Sequence, residues 1–406
     1  MRAERLVSMR AALVVLGCML CQMGAGFFYA SRALSGDVVE DLGWTRTMWA
    51  SGMSPMLVVS SVSQAFVGAA CARFGVRPVV VASLLCLAVS VVTFSTMQNL
   101  VQFYAAMMIL ALANAGIGDV SIGSVITKWF SKRRSLALGF AMAGSNVGSI
   151  VFLGALGLTI DDTGWRETAL TVGLGGVAVI LPAAFAFVRD PRPGEGEAPE
   201  DEATSESGQA LPSLRYGEIL RRPAFWILFY SLFCYSLVQL GLYDQFVLYL
   251  TDLGYEKQEA YGALGLAVGA GIAAKLGAGA VGQLVPARVA FLVNTGLLAT
   301  SLILVPFAVS PLVLTAFSIC FGLSTSSRDV FLPLAVADAF GTRSFARVYG
   351  LMMLAFVPGG ALGPVVLAEA HRLFGDYRPG FAACIALVVL ASLALGWLAR
   401  PSPRSA

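Results

Sequence analysis

Lys128-Trp129-Phe130-Ser131-Lys132-Arg133-Arg134-Ser135-Leu136-Ala137-Leu138-Gly139-Phe140-Ala141-Met142-Ala143-Gly144 joins two apolar runs through a short cluster of cations. The run before it, Val101 to Ile126, stops just short of Lys128, and the run after it lasts to Ile160. Lys128, Lys132, Arg133 and Arg134 lie between them. Two apolar segments joined by a tight basic turn make a membrane hairpin. Its turn stays on the cytoplasmic side, because Lys and Arg resist translocation.

The rest of the chain has the same character. Of its 406 residues 57% are hydrophobic and 13% charged, with a mean hydropathy of +0.78. A soluble domain carries about 25% charged residues, so the composition is that of an integral membrane protein. The net charge of +3 carries no nucleic-acid signature. Cys18, Cys21, Cys71, Cys86, Cys234, Cys320 and Cys384 lie in or beside apolar runs. Cys18 and Cys21 have C-x-x-C spacing, but no second Cys pair or His cluster joins them, so they read as buried thiols. No nucleotide-binding loop, catalytic triad or metal cluster is visible, so neither an enzyme nor a cofactor or metal is expected. The lone histidine, His371, falls in the last outer loop, which leaves no imidazole relay within the membrane.

Outward from the hairpin, twelve apolar segments can be counted, each long enough for about 30 Å of hydrocarbon. They fall near 10–32, 48–70, 78–97, 101–126, 136–160 and 168–188, and again near 224–250, 259–282, 288–309, 312–337, 346–369 and 379–399. The first reads as an uncleaved helix rather than a signal peptide, since eleven similar segments follow. Between the sixes lies a stretch rich in Pro, Gly, Glu and Ser, whose Glu195–Glu202 core is too polar to fold alone. The expected fold is an all-α membrane protein of twelve transmembrane helices in two six-helix bundles, 1–188 and 224–406, joined by a linker, 189–223. Asp119 precedes Phe130 by eleven positions, and Asp329 precedes Phe340 by the same eleven, so the halves repeat one another. Gly139, Gly144, Gly148 and the run Pro358–Pro364 read as seams for close helix packing.

Placing the N-terminus inside puts nineteen of the 27 Lys and Arg residues on the cytoplasmic side. Only Arg46, Arg166, Lys257, Arg372 and Arg378 fall outside. Both termini and the linker are therefore expected in the cytoplasm. Three cations remain within the membrane: Arg32, Lys275 and Arg328. A cation at the bilayer centre costs about 3 kcal/mol on insertion scales, so each needs a partner, a wet cavity or a substrate.

The opening stretch resembles the signature that leads into the fifth helix of monocarboxylate transporters. Phe130, Lys132, Arg133, Arg134, Leu136, Ala137, Gly139, Ala141, Ala143 and Gly144 match it, with Trp129 and Phe140 as substitutions. The six-plus-six layout is similar to the major facilitator superfamily to which that family belongs, near the oxalate:formate antiporter group. Gly68–Arg77 resembles that superfamily's loop between helices 2 and 3, but without its acid, which implies a weakened charge pair there. The resemblance implies alternating-access transport of a small organic anion such as lactate or pyruvate, by proton symport or by exchange with a counter-anion. It places Lys275 where the family's helix 8 holds its substrate arginine, while the acid four residues earlier is replaced by Gly271. Arg32 aligns with a first-helix lysine important for substrate, although a side chain so near the interface can equally snorkel outward.

Segment 8 offers Lys275 no carboxylate within one helical turn, where Gly271 precedes it and Gly279 follows, so an incoming substrate carboxylate is the expected partner. Tyr29, Asn146 and Tyr243 are candidate polar wall residues. Asp119, Arg328, Asp329 and Asp244 are candidates for coupling or gating. Adjacent side chains point about 100° apart on a helix, so Arg328 need not pair with Asp329 and can instead meet Asp119 in a latch between the halves. The expected setting is a monomer in the lipid bilayer of a bacterial cytoplasmic membrane, with the anion and protons or a counter-anion as partners and no nucleic acid.

Overall fold

Hydrocarbon offers a backbone N–H or C=O no water, so each spanning segment must close its hydrogen bonds within itself as a helix. The computed structural model describes residues 2–192, 195–196 and 214–399, and no strand occurs among them. Much of the expected linker core lies outside the described residues. Among those described, ten helical stretches are long and apolar enough to cross a membrane. One of them, Arg134–Phe187, is 54 residues long and breaks at Gly164 (φ 72°, ψ 166°), which turns it into two spans. A residue without Cβ adopts that conformation at little cost. The remaining span is Pro311–Phe340, whose serines, Arg328 and Asp329 make it too polar to register by apolarity alone.

The twelve helices are α1 (Met9–Asp41), α2 (Pro55–Phe74), α3 (Val76–Thr96), α4 (Leu100–Trp129), α5 (134–163), α6 (165–187), α7 (Pro223–Asp252), α8 (Gln258–Leu284), α9 (Ala287–Phe307), α10 (Pro311–Phe340), α11 (Phe345–Phe374) and α12 (Arg378–Leu398). Local chemistry fixes their ends. Asn99 caps α4 by accepting from the Gln102 N–H, and Gln102 returns the bond to Gln98. Pro223 opens α7, where its missing N–H costs nothing. Glu256 and Glu259 form a capping box on α8. Inside α4 the helix is interrupted at Gly118, and Asp119 starts its second half.

The chain separates into two compact units, Met1–Ser213 with Phe340–Leu351, and Leu214–Ala339 with Met352–Ala406. The short segment Phe340–Leu351 belongs to the first unit because it rests on α2: a Cβ on Gly68 would stand 2.2 Å from the Ala346 carbonyl oxygen. Each unit has its own glycine seam. In the first, a Cβ on Gly144 or Gly148 would stand 2.2 Å from the carbonyl oxygen of Met19 or Met23, so α5 presses directly on α1. In the second, a Cβ on Gly363 would stand 2.1 Å from the Leu237 carbonyl oxygen, so α11 presses on α7. Close backbone approach replaces the hydrophobic drive that lipid cannot supply.

The loop between α2 and α3 departs from expectation. Its missing acid is supplied from elsewhere: Asp190, just past α6, accepts from the Val76 N–H at 3.1 Å and from Lys128 Nζ at 2.7 Å. Arg77 donates to the Val188 carbonyl at 3.0 Å, and the Trp129 indole donates to the Arg189 carbonyl at 2.7 Å. The basic stretch between α4 and α5 is thereby tied to the end of α6. Cys71, near the end of α2, lies against Ser121 of α4.

Candidate functional site

In the second unit α8 and α10 bring together the two buried cations. Lys275 Nζ donates to Asp329 Oδ2 at 3.0 Å. Arg328 grips the other oxygen of the same carboxylate, through Nε at 3.1 Å and through Nη2. The side chains of Lys275, Arg328 and Asp329 are 5%, 9% and 15% exposed, so this is a buried cluster. The Arg328 guanidinium also lies over the Phe356 ring of α11, 5.0 Å from its centroid. The Ser327 hydroxyl donates to the Ala274 carbonyl at 3.2 Å, locking α10 against α8 at the level of Lys275.

Two expectations are corrected here. Lys275 does have a resident carboxylate, which comes from α10 rather than from its own helix. Arg328 and Asp329 do pair although they are neighbours in sequence: the long guanidinium arm folds back across the 100° between them. The first correction has a plain physical origin. A helix reads its own acids at three- and four-residue spacing, whereas a neighbouring helix can deliver one from any position.

Tyr243 of α7 lies edge-on to Phe321 of α10, the helix that carries Arg328 and Asp329. Asp244, the next residue, is exposed and accepts from Gln245 at 2.7 Å.

The first unit holds a different polar layer. Asp119 is half-buried at the N-terminus of the second half of α4 and accepts from Gln22 Nε2 at 3.1 Å. An acid in the first turn complements the helix dipole, which is one reason for a carboxylate after the Gly118 break. Gln22 is buried and also reaches Met142 Sδ at 3.2 Å, joining α1, α4 and α5. Asn146 sits on α5, where Ser145 donates to it at 3.4 Å. Arg32 is exposed in a short 3-10 turn and stacks on Phe28, and Tyr29 is exposed beside it.

Gln22, Phe356 and Asp190 were not among the expected residues. A lone glutamine inside the apolar run of α1 was a usable signal, since a buried amide requires a partner. Nothing in the sequence pointed to Phe356 or Asp190, one an ordinary aromatic of an apolar run and the other the first acid of an acidic linker.

Residues 14–364 match the sequence profile of the Major Facilitator Superfamily. The chain is 25% identical over 326 residues to monocarboxylate transporter 13 of Bos taurus, covering 79% of this chain and 73% of that protein. It is 26% identical over 376 residues to monocarboxylate transporter 11 of Homo sapiens, covering 88% and 75%. Among solved structures, the fucose:proton symporter FucP of E. coli superposes with a TM-score of 0.74 at 10% identity, over 96% of this chain and all of that one. The human organic anion transporter MFSD10 superposes with a TM-score of 0.69 at 18% identity, over 95% and 98%. Twelve spans, the repeated halves, the basic hairpin and a profile match over most of the length converge: the chain belongs to the Major Facilitator Superfamily, and is a multi-pass membrane transporter rather than an enzyme.

Proposed function

We propose that this transporter carries a small monocarboxylate of lactate or pyruvate size, and that the cations on Asp329 are the ones that hold it. The observation that carries this reading is the clasp itself: Lys275 holds one oxygen of a carboxylate and Arg328 the other, in a buried setting. An arrangement that holds the Asp329 carboxylate is chemically suited to a substrate carboxylate in its place. Exchange of one for the other keeps a carboxylate between the two cations throughout, which avoids the several kcal/mol of leaving them with no counter-charge. Asp329 leaves the clasp most readily as the neutral acid. One proton taken up by Asp329 then accompanies one substrate anion, an electroneutral symport in place of the helix-8 acid that Gly271 does not provide. The similarity to monocarboxylate transporters supports the substrate class. The cation distribution supports cytoplasmic termini.

The test is uptake of labelled lactate and pyruvate into proteoliposomes, with and without an imposed pH gradient. Wild type should accumulate one of them when the gradient drives protons inward. Loss of a charged, buried contact costs about 2–5 kcal/mol, so Lys275→Gln should lower affinity at least about thirty-fold. Lys275→Arg should keep part of the activity, since the charge survives while its geometry changes. Wild-type uptake by Lys275→Gln removes Lys275 from the substrate site. Counterflow that ignores pH would assign anion exchange instead, with Asp329 ionised throughout.

A further inference from the structure

A cleft opens between α8 and α10 at the end of the unit remote from Pro223. It measures about 250 Å³ and is lined by Tyr255, Glu259, Gly262, Leu266, Leu314 and Ser318, among others. Ser318 is wholly buried, yet its hydroxyl has no hydrogen-bond partner, and the same holds for the buried hydroxyl oxygen of Tyr255. Two orphaned hydroxyls in one cleft are costly, at about 1–3 kcal/mol each, unless something from outside meets them. Burial and the nearby Glu259 carboxylate push the Tyr255 hydroxyl above its ordinary value, so it stays a donor as well as an acceptor.

The cleft is separate from the charged cluster. Ser318 lies eleven residues before Asp329, about 16 Å along the helix. Between them α8 and α10 meet at a pinch, where a Cβ on Gly322 would stand 2.1 Å from the Ala267 carbonyl oxygen. The chemistry is also opposite. Glu259 is the charged residue among those lining the cleft, and it stands at the exposed rim. One of its oxygens accepts from the Glu256 N–H at 3.0 Å, which leaves the other for a ligand. The walls are apolar: Ala263, Leu266, Pro311 and Leu314. The volume is below the roughly 300–1,000 Å³ of drug-sized sites, so a fragment-sized occupant fits.

We infer that this cleft is a binding site for a small amphipathic primary amine, whose ammonium meets Glu259 and the two hydroxyls while its apolar body lies against Leu266 and Leu314. The site is distinct in place and in charge from any anion site at Lys275. Its occupant bridges the two helices that carry Lys275 and Asp329, so occupancy braces one against the other. A free amine and the ammonium headgroup of an ethanolamine lipid share this chemistry.

The test titrates the full-length protein in lipid-free detergent micelles with 2-phenylethylamine, followed by calorimetry or ligand-observed NMR. Saturable binding in the millimolar range or tighter is expected. Glu259→Gln should weaken it about tenfold or more, since a charge-assisted contact is lost. Gly262→Leu should abolish it by filling the cleft. A Cβ at Gly262 meets nothing within 4 Å, so the backbone there accepts a side chain, and the unfolding temperature of this variant should match wild type. Binding of 3-phenylpropionate, of the same shape but opposite charge, should be indifferent to Gly262→Leu. Repeating the titration in nanodiscs separates the sources. Loss of amine binding in phosphatidylethanolamine but not phosphatidylcholine assigns the site to the lipid headgroup, and equal binding in both assigns it to a free amine. No saturable binding up to about 20 mM, or wild-type affinity in either variant, overturns the inference.

Discussion

Lys275 on α8 and Asp329 on α10 stand 3.0 Å apart, with Arg328 on the far oxygen of the same carboxylate. A buried cation is thus tied to an acid on a different helix, 54 positions later in the chain. Removing one member of such a group leaves charge without compensation and costs about 3–5 kcal/mol. Asp329→Asn should therefore lower the unfolding temperature of the purified protein clearly, whatever the substrate. On the proposed mechanism it should also uncouple transport: counterflow of labelled substrate persists while accumulation driven by a pH gradient is lost. Accumulation at the wild-type level in Asp329→Asn would rule out this residue as the proton carrier.

Asp190 takes over the work of the acid missing from the loop between α2 and α3. It bonds the first N–H of α3 and the ammonium of Lys128, and both side chains are about a third exposed. Solvent screening at that exposure limits the loss in Asp190→Asn to about 1 kcal/mol. That corresponds to a fall of about 2–4 °C in unfolding temperature for a unit of this size. Lys128→Gln should give a smaller fall, because the Val76 contact survives. If both variants melt with wild type, Asp190 does not anchor the loop.

Glu195 accepts from Arg189 at 2.5 Å, from Arg10 at 2.8 Å and from the Arg192 N–H at 3.3 Å. The bond from Arg189 does most to hold its carboxyl down at about 2, against 4.5 for a free glutamate. A depressed value means the contribution is complete above about pH 4.5 and fades as pH falls toward 2. It is constant across the range in which transport is measured. Glu195→Gln should leave the shape of the transport pH profile between about pH 5.5 and 8 unchanged. A displaced midpoint in that window would show that this contact, and not a group inside the membrane, sets the pH response.

Orientation is tested by labelling cysteines introduced one at a time. Gly375 ends α11 in a left-handed turn, where an added Cβ meets nothing within 4 Å. Ser205 lies in the linker, outside the described residues. With a cytoplasmic linker, an impermeant maleimide applied to intact cells should reach Gly375→Cys and miss Ser205→Cys. The reverse pattern inverts the topology.

Much of this protein was legible in the sequence because the bilayer simplifies the physics. A segment in hydrocarbon must be a helix, its length is fixed by membrane thickness, and its cationic loops choose a side. Apolar runs such as 78–97 and 224–250 therefore identified α3 and α7 without reference to any neighbour. Glycines at Gly144, Gly148 and Gly363 marked the seams, because close approach of two backbones leaves few other choices. The identity of Lys275 as a charge needing company was equally plain.

What the sequence could not supply was the company. Lys275 meets Asp329, Asp119 meets Gln22, and Asp190 meets Val76 and Lys128, each across 54 or more positions of chain. Helical spacing reports which residues share a face, but not which face of another helix it meets, or at what height. The height at which α8 lies against α10 is fixed by packing at Gly322 and Ala267, and by the Ser327 bond to Ala274. Only that tertiary register brings one carboxylate between two cations. The need for a counter-charge is a one-dimensional fact, set by the cost of burying a cation; its source is a three-dimensional one, set by how helices stack.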